Sequence, residues 1–360
     1  MKDLQIVSLT RSKLKNALEQ DLYWQNGTEF VPFSKSKALW LLKNNRIADD
    51  DICAILGMEN NALVSFIYLI PDLIETEKGP LKIYWSSRWW VAEKYKESIL
   101  SVYTKRVSLE ETKNQVIIKH LGTDTLDYYK KQPYTAFSKR NRYIFVFNLD
   151  HHLFINKFPF FKVASPLIKG VSNFSHYLIA LLNKIKFQTA SLSYDYVSSI
   201  NETTWLFIEK HVANDLVLKS KDYINWQIDN SQYTLKTNNI KHKCLISSIS
   251  NAIYNTSFFI KLDGETVGFI SVLIRENEFV TRYFLCDNEY YKYCLDALME
   301  HFTTSKCTFL LTEDEVLGSH IDKTFFSIYK NKRKLVSLAH HDIDIDFSNK
   351  KVYQQDGHFA

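Results

Sequence analysis

Scarcity sets the first limits on this chain of 360 residues. It has only five cysteines (Cys53, Cys244, Cys286, Cys294 and Cys307), with no Cys-x-x-Cys pair and no zinc-binding spacing. Reduced, buried thiols are the expectation. No Gly-x-Ser-x-Gly, His-Glu-x-x-His, Walker or Gly-x-Gly-x-x-Gly motif occurs, so hydrolase, zinc-protease and nucleotide-kinase readings have no support. No apolar run reaches the roughly 18 residues of a spanning helix, and Met1-Lys-Asp-Leu-Gln5 lacks the apolar core of a signal peptide. A soluble, cytoplasmic protein is expected.

The most local absence is of acid. From His151 to Tyr194 there is no Asp or Glu, while Lys157, Lys162, Lys169, Lys184 and Lys186 are present. Phe154, Phe158, Phe160 and Phe161 crowd its start, and Phe174 to Ile185 has the spacing of an amphipathic helix. Such a segment reads as a connector whose apolar face packs between two domains. The alternative is a basic, aromatic helix lying on an anionic membrane surface.

What is present is globular. Hydrophobic residues make up 46% and aromatics 14%, too apolar for disorder. The length fits two domains. A net charge of +5 suits an acidic substrate or a membrane surface and does not indicate nucleic acid.

Residues 1–50 hold a short strand (4–9) and helices near 12–20 and 34–42, with Trp24, Phe30, Phe33 and Trp40 either as core or lining a cleft. Apolar strand text then follows at Cys53-Ala-Ile-Leu-Gly57, at Ala62 to Ile70 (where Pro71 is expected to stop it) and at Leu81 to Trp85. Tyr95, Ile99, Val102, Tyr103 and Arg106-Val107 fall at helical spacing, a strand returns at Gln115 to His120, and Thr123-Asp124 can cap a helix to Tyr129. Tyr143 to Phe147 is a closing strand.

That order resembles the Gcn5-related N-acyltransferases. In the family, exposed backbone N–H groups at the start of the helix after the third strand cradle the pyrophosphate of coenzyme A. The matching text is Trp90-Val91-Ala92-Glu93-Lys94-Tyr95-Lys96-Glu97-Ser98-Ile99-Leu100, with Lys96 where the family favours Arg and with Glu97 and Ile99 in place of its glycines. The resemblance implies that Trp90, Val91, Ala92, Lys94, Tyr95, Lys96, Glu97 and Ser98 meet acetyl-coenzyme A, or another acyl-coenzyme A, as co-substrate. Leu126-Asp-Tyr-Tyr-Lys-Lys-Gln-Pro-Tyr134 resembles the family's aromatic-Tyr-x-Lys ending, which puts Tyr129 where a tyrosine protonates the leaving thiolate. Glu59 and Glu29 are the candidate bases, because acids are scarce near the expected cleft.

Past Tyr194 the pattern starts again. Leu206 to Val212 reads as a strand and Lys221 to Trp226 as a helix. A hairpin is read over 256–274 around Asp263-Gly264, then a strand over Glu278 to Cys286, a helix over Asn288 to His301 and strands over Lys306 to Thr312 and Leu335 to Phe347. The expected fold is thus a mixed α/β sheet protein, a tandem duplication of the acyl-CoA N-acyltransferase fold. Its domains are 1–150 and 196–360, joined by the connector 151–195. The tail Gln354-Gln-Asp-Gly-His358 resembles two-domain acyltransferase-like proteins of bacterial surface-polysaccharide loci.

His340-His341-Asp342-Ile-Asp344-Ile-Asp346 looks like metal-ligand text, but strand alternation would put the three acids on a solvated side and the isoleucines inside; no metal site is expected. The favoured function is transfer of an acyl group from coenzyme A to an amine, a small molecule or an amino sugar. The alternatives are a scaffold that kept the fold without the chemistry and a relative of the aminoacyl-tRNA-dependent peptidoglycan transferases.

Overall fold

A computed structural model describes residues 4–25, 28–121, 123–149, 155, 158–233, 244–245, 253–348 and 350–358. His151, Phe154 and Lys157, singled out above, lie outside them. The elements in chain order are β1 (Leu4–Thr10), α1 (Arg11–Glu19), β2 (Phe30–Val31), α2 (Lys35–Lys43), β3 (Ile52–Glu59), β4 (Ala62–Thr76), β5 (Gly79–Val91), α3 (Leu100–Glu111), β6 (Val116–Leu121), α4 (Thr123–Tyr129) and β7 (Tyr134–Val146). There follow α5 (Ser165–Lys184), β8 (Leu192–Tyr196), α6 (Glu202–Val212), α7 (Lys221–Ile228), β9 (Cys244–Leu245), β10 (Ile253–Leu262), β11 (Glu265–Arg275), β12 (Glu278–Cys286), α8 (Tyr291–Ser305), β13 (Phe309–Thr312), α9 (Glu315–Thr324) and β14 (Tyr329–His340).

The chain divides into two units that interleave along it. Unit 1 is residues 1–139, 212–251 and 335–360, and unit 2 is residues 140–211 and 252–334. The boundaries read at 150 and 195 both fall inside unit 2. In unit 1 the strand order is β1-β3-β4-β5-β6-β14, and every neighbouring pair is antiparallel except β5–β6. Unit 2 has β8-β10-β11-β12-β13-β7, again antiparallel except for one pair, β12–β13. The succession of pairings is the same in both. Residues 140–146 of β7 complete unit 2 and residues 335–340 of β14 complete unit 1.

Pro71 does not end its strand. β3 pairs with β4 only as far as Ala54↔Tyr68, so at Pro71 the strand has β5 (Tyr84) on one side alone, where a proline is tolerated. The strand expected at Leu206 to Val212 is helix α6. Asn201 Oδ1 accepts from the Thr204 N–H at 2.9 Å, and Ile208 and Val212, four residues apart, are buried. The last strand stops at His340 rather than Phe347. Beyond it Ile343 is buried and Phe347 stacks on Phe137 at 4.2 Å, while Asp342, Asp344 and Asp346 are exposed. The burial alternates as expected, without a strand.

Helix α3 turns an unexpected face inward. Ile99, Val102 and Tyr103 are exposed, and Leu100, Thr104, Lys105 and Ser108 are buried. Close approach is the reason: Thr104 Oγ1 lies 2.8 Å from Ser65 Oγ, and a Cβ on Gly57 would collide with that same serine hydroxyl. Small polar residues admit the helix where bulky apolar ones would not fit.

In α5, too, most of the apolar face is turned outward. Leu167, Val171, Phe174, Leu178, Leu181 and Ile185 are exposed, while Ser172 and Asn183 are buried.

Candidate active site

The edge between β5 and β6 is where unit 1 opens. Along β4, the register passes from Ile67↔Trp89 to Tyr68↔Ser87, which leaves Arg88 as an extra residue with φ +56°. A β-bulge of this kind bends its strand away from the next one. On the other side of β5 the parallel pairs are Tyr84↔Val116, Trp85↔Ile117 and Ser86↔Ile118, although the strands run on to Val91 and Leu121. Past the bulge, then, β5 and β6 form a notch. Ala92 N–H donates to Val64 O at 2.8 Å on the β4 side, so strand alternation turns the preceding N–H, that of Val91, toward the notch.

Trp89 and Trp90 point to opposite faces of the sheet here. On the α3 face, Lys105 Nζ lies 5.8 Å from the centre of the Trp89 ring, 5.0 Å from that of Tyr129 and 5.3 Å from that of Tyr134. It donates to Tyr129 Oη at 3.3 Å. Burial pulls this ammonium down from 10.5 to about 8 and pushes the Tyr129 phenol up, so that the phenol stays protonated at neutral pH. His340 stands 5.2 Å from Tyr134 and is lowered by burial.

On the other face Trp90 packs on Phe30 at 5.0 Å, beside a cleft of about 730 Å³. Thr28, Glu29, Phe30, Asn60, Asn61 and Lys94 are among its lining residues. Of the four aromatics read as core or cleft, Phe30 reaches this cleft, whereas Trp24, Phe33 and Trp40 are buried core. Nearby, Lys37 of α2 sits 3.8 Å over the Tyr68 ring. Burial, with a contribution from Arg88, lowers it from 10.5 to about 7.

The residues matched to the coenzyme loop form a tight turn. Glu93–Tyr95 is one turn of 3₁₀ helix. The amides of Tyr95, Lys96 and Ser98 donate to Ala92 O, Glu93 O and Tyr95 O, so these three are engaged within the turn. Lys96 pairs with Glu93 at 2.5 Å, and Glu97 is exposed. Glu59, at the end of β3, accepts from both Lys94 Nζ and Tyr95 Oη, bonds that hold its carboxyl below the usual range. It therefore pins the turn, and both its oxygens are engaged in doing so.

No family model matches the chain, and no curated protein matches it. Solved structures do. A protein of unknown function from Enterococcus faecalis V583, described as a probable N-acyltransferase, matches with a TM-score of 0.51 at 8% identity, over 94% of this chain and 73% of that one. A GCN5-related N-acetyltransferase from Kribbella flavida matches with 0.51 at 10% identity, covering 94% and 72%. Another, from Anabaena variabilis ATCC 29413, gives 0.50 at 10%, covering 94% and 73%. The fold is that of the GCN5-related N-acetyltransferases. At this identity the likeness concerns the acyltransferase fold alone.

Unit 2 treats the corresponding place differently. β12 and β13 pair at Glu278↔Phe309 to Val280↔Leu311, and one residue past β13 the buried Glu313 is clasped by Arg140 (3.0 Å) and Arg142. The turn after β12 is pinned by Lys210 and His211 on Asp287, at 2.7 and 3.2 Å. The tail Gln354–His358 is a clasp within unit 1. Lys219 pairs with Asp356, both fully buried, Lys119 Nζ donates to Gln354 O, and Gly357, at φ +60°, lies so close to Trp85 that any Cβ would collide. Sequence reasoning named Tyr129 but missed Lys105, Trp89 and Lys37, and met His340 only in the metal-ligand-like text. A lysine one turn into a helix after an apolar residue reads as solvated, and the only available signal was the lack of a consistent apolar stripe in α3.

Proposed function

We propose that unit 1 is an acyltransferase that moves an acyl group from acyl-coenzyme A to an amine, and that the chain carries two copies of one fold of which the first holds the chemistry. The observation that carries this reading is the notch at the Arg88 bulge, with a protonated tyrosine on one face and an acid-bordered cleft on the other. The thioester carbonyl oxygen would lie against the Val91 N–H, which polarises it. The amine attacks the carbonyl carbon, the C–N bond forms, and the C–S bond breaks with its electron pair on sulfur. Tyr129 protonates that sulfur and Lys105, 3.3 Å away, returns a proton to the phenolic oxygen. Glu29, on the cleft, takes the proton the amine loses. Glu59 positions the turn. The cleft's amides, hydroxyl and carboxylate suit a polyhydroxylated amine such as an amino sugar, which is also the acceptor a role in surface-polysaccharide synthesis would require.

A second reading, a non-catalytic scaffold, is favoured by the turn itself, since three of its amides are engaged and Glu97 would face the pyrophosphate. Release of coenzyme A thiol from acetyl-coenzyme A, followed colorimetrically with a panel of amino sugars and simple amines, separates the two. Amine-dependent release that Tyr129→Phe reduces supports transfer. No release with any amine, together with no calorimetric binding of acetyl-coenzyme A, supports the scaffold.

A further inference from the structure

Helix α5 carries a long apolar stripe on its outer face. Leu167, Val171, Phe174, Leu178, Leu181 and Ile185 recur at steps of four and three residues, which places them on one stripe along its length. All six are exposed, from 42% for Leu178 to 75% for Ile185. The face toward the body of unit 2 is mixed: Ile179 packs on the core, Ser172 hydroxyl donates to Leu149 O, and Asn183 Nδ2 donates to Phe326 O at 2.9 Å while its Oδ1 accepts from Phe326 N–H at 2.8 Å. The turn before the helix adds Phe160, 72% exposed, with its ring tilted 4.2 Å from that of Phe161. Monomeric soluble proteins rarely expose so continuous an apolar stripe.

We infer that this face docks on an anionic lipid bilayer. Charge selects that occupant. The whole segment 151–194 has no acidic residue, and of its exposed lysines Lys162 lies in the turn before the helix and Lys184 flanks the stripe, while Lys169 is on the opposite side of the helix. A second copy of the chain, meeting this face through a two-fold axis, would set lysine against lysine with no carboxylate of the segment to pair them. Lipid phosphates supply the missing negative charge, and lysine stems can lie along the apolar surface with their ammonium groups at the headgroups. No described helix is long and apolar enough to cross a membrane, so α5 lies on the surface with its stripe in the interface.

The test uses the full chain with vesicles of phosphatidylcholine alone or with about one third phosphatidylglycerol, in flotation at low and high salt. Binding to the anionic vesicles is expected, with loss at high salt because the charge term is screened. Lys162→Gln with Lys184→Gln should weaken partition on the order of 25-fold, since each lysine near such a surface contributes about a fivefold factor. Phe174→Glu with Leu181→Glu should abolish binding while leaving the circular-dichroism melt unchanged, because both side chains are exposed. Absence of flotation with either vesicle overturns the inference. So does binding that both variants retain. A dimer in sedimentation velocity that Phe174→Glu disperses, without vesicle binding, assigns the stripe to a second copy instead.

Discussion

Replacing Lys105 by methionine should make unit 1 more stable and less active. In the folded protein burial lowers the ammonium from 10.5 to about 8, a difference worth about 3 kcal/mol. Attraction to the Trp89, Tyr129 and Tyr134 rings, all near the outer limit of such contacts, offsets about 0.5 kcal/mol each. Lys105→Met removes the buried charge and keeps most of the side-chain volume, so a net gain of about 1–2 kcal/mol is expected at pH 7. The pH dependence has a definite sign. The folded value lies below the unfolded one, so between about pH 8 and 10.5 the unfolded chain holds more protons, and stability rises with pH through that window. Other groups titrate there as well, and the difference between wild type and Lys105→Met isolates this lysine. Urea unfolding followed by tryptophan fluorescence at pH 7, 8, 9 and 10 measures it. The gain should be largest at pH 7 and vanish near pH 10.5. A variant destabilised by more than about 1 kcal/mol at pH 7, or a gain that does not change with pH, would refute the reasoning.

Tyr129→Phe should lower kcat by about 100-fold or more with little change in KM, read by steady-state thiol release; an unchanged kcat removes the tyrosine from the chemistry. Lys219→Met leaves Asp356 charged and unpaired in a fully buried place, a loss of about 3–5 kcal/mol, which Asp356→Leu in the same chain should largely restore; thermal unfolding of the single and double variants checks this. Glu97→Gly removes a negative charge and a side chain at the phosphate end of the turn, and calorimetry should show tighter acetyl-coenzyme A binding, with equal or weaker binding counting against that placement.

The strand order of both halves was legible because it depends on apolar runs broken by turn residues, as at Asn60-Asn61 and Asp263-Gly264, where positive φ values form the hairpins. Errors came where local pattern and tertiary context disagree. Leu206-Phe-Ile208 has strand composition, yet an Asn201 cap and a buried Ile208 and Val212 make it a helix. The periodicity that placed Ile99, Val102 and Tyr103 inside α3 fails because a close crossing over Gly57 and Ser65 selects small polar residues. Resemblance alone named part of the candidate site: Tyr129, and the turn after Val91. The Arg88 bulge and the Lys105 box were not legible. Both depend on register and on side chains that are distant in sequence, and neither has a local motif.

The central claim is that acyl-coenzyme A enters the notch of unit 1. Crystals soaked with acetyl-coenzyme A test it most directly. Density is expected between Val91 and Leu121, with the thioester oxygen within hydrogen-bond distance of the Val91 N–H and the sulfur near Tyr129 Oη. Saturating ligand that leaves this notch empty, or that lies only against the corresponding strands of unit 2, would contradict it.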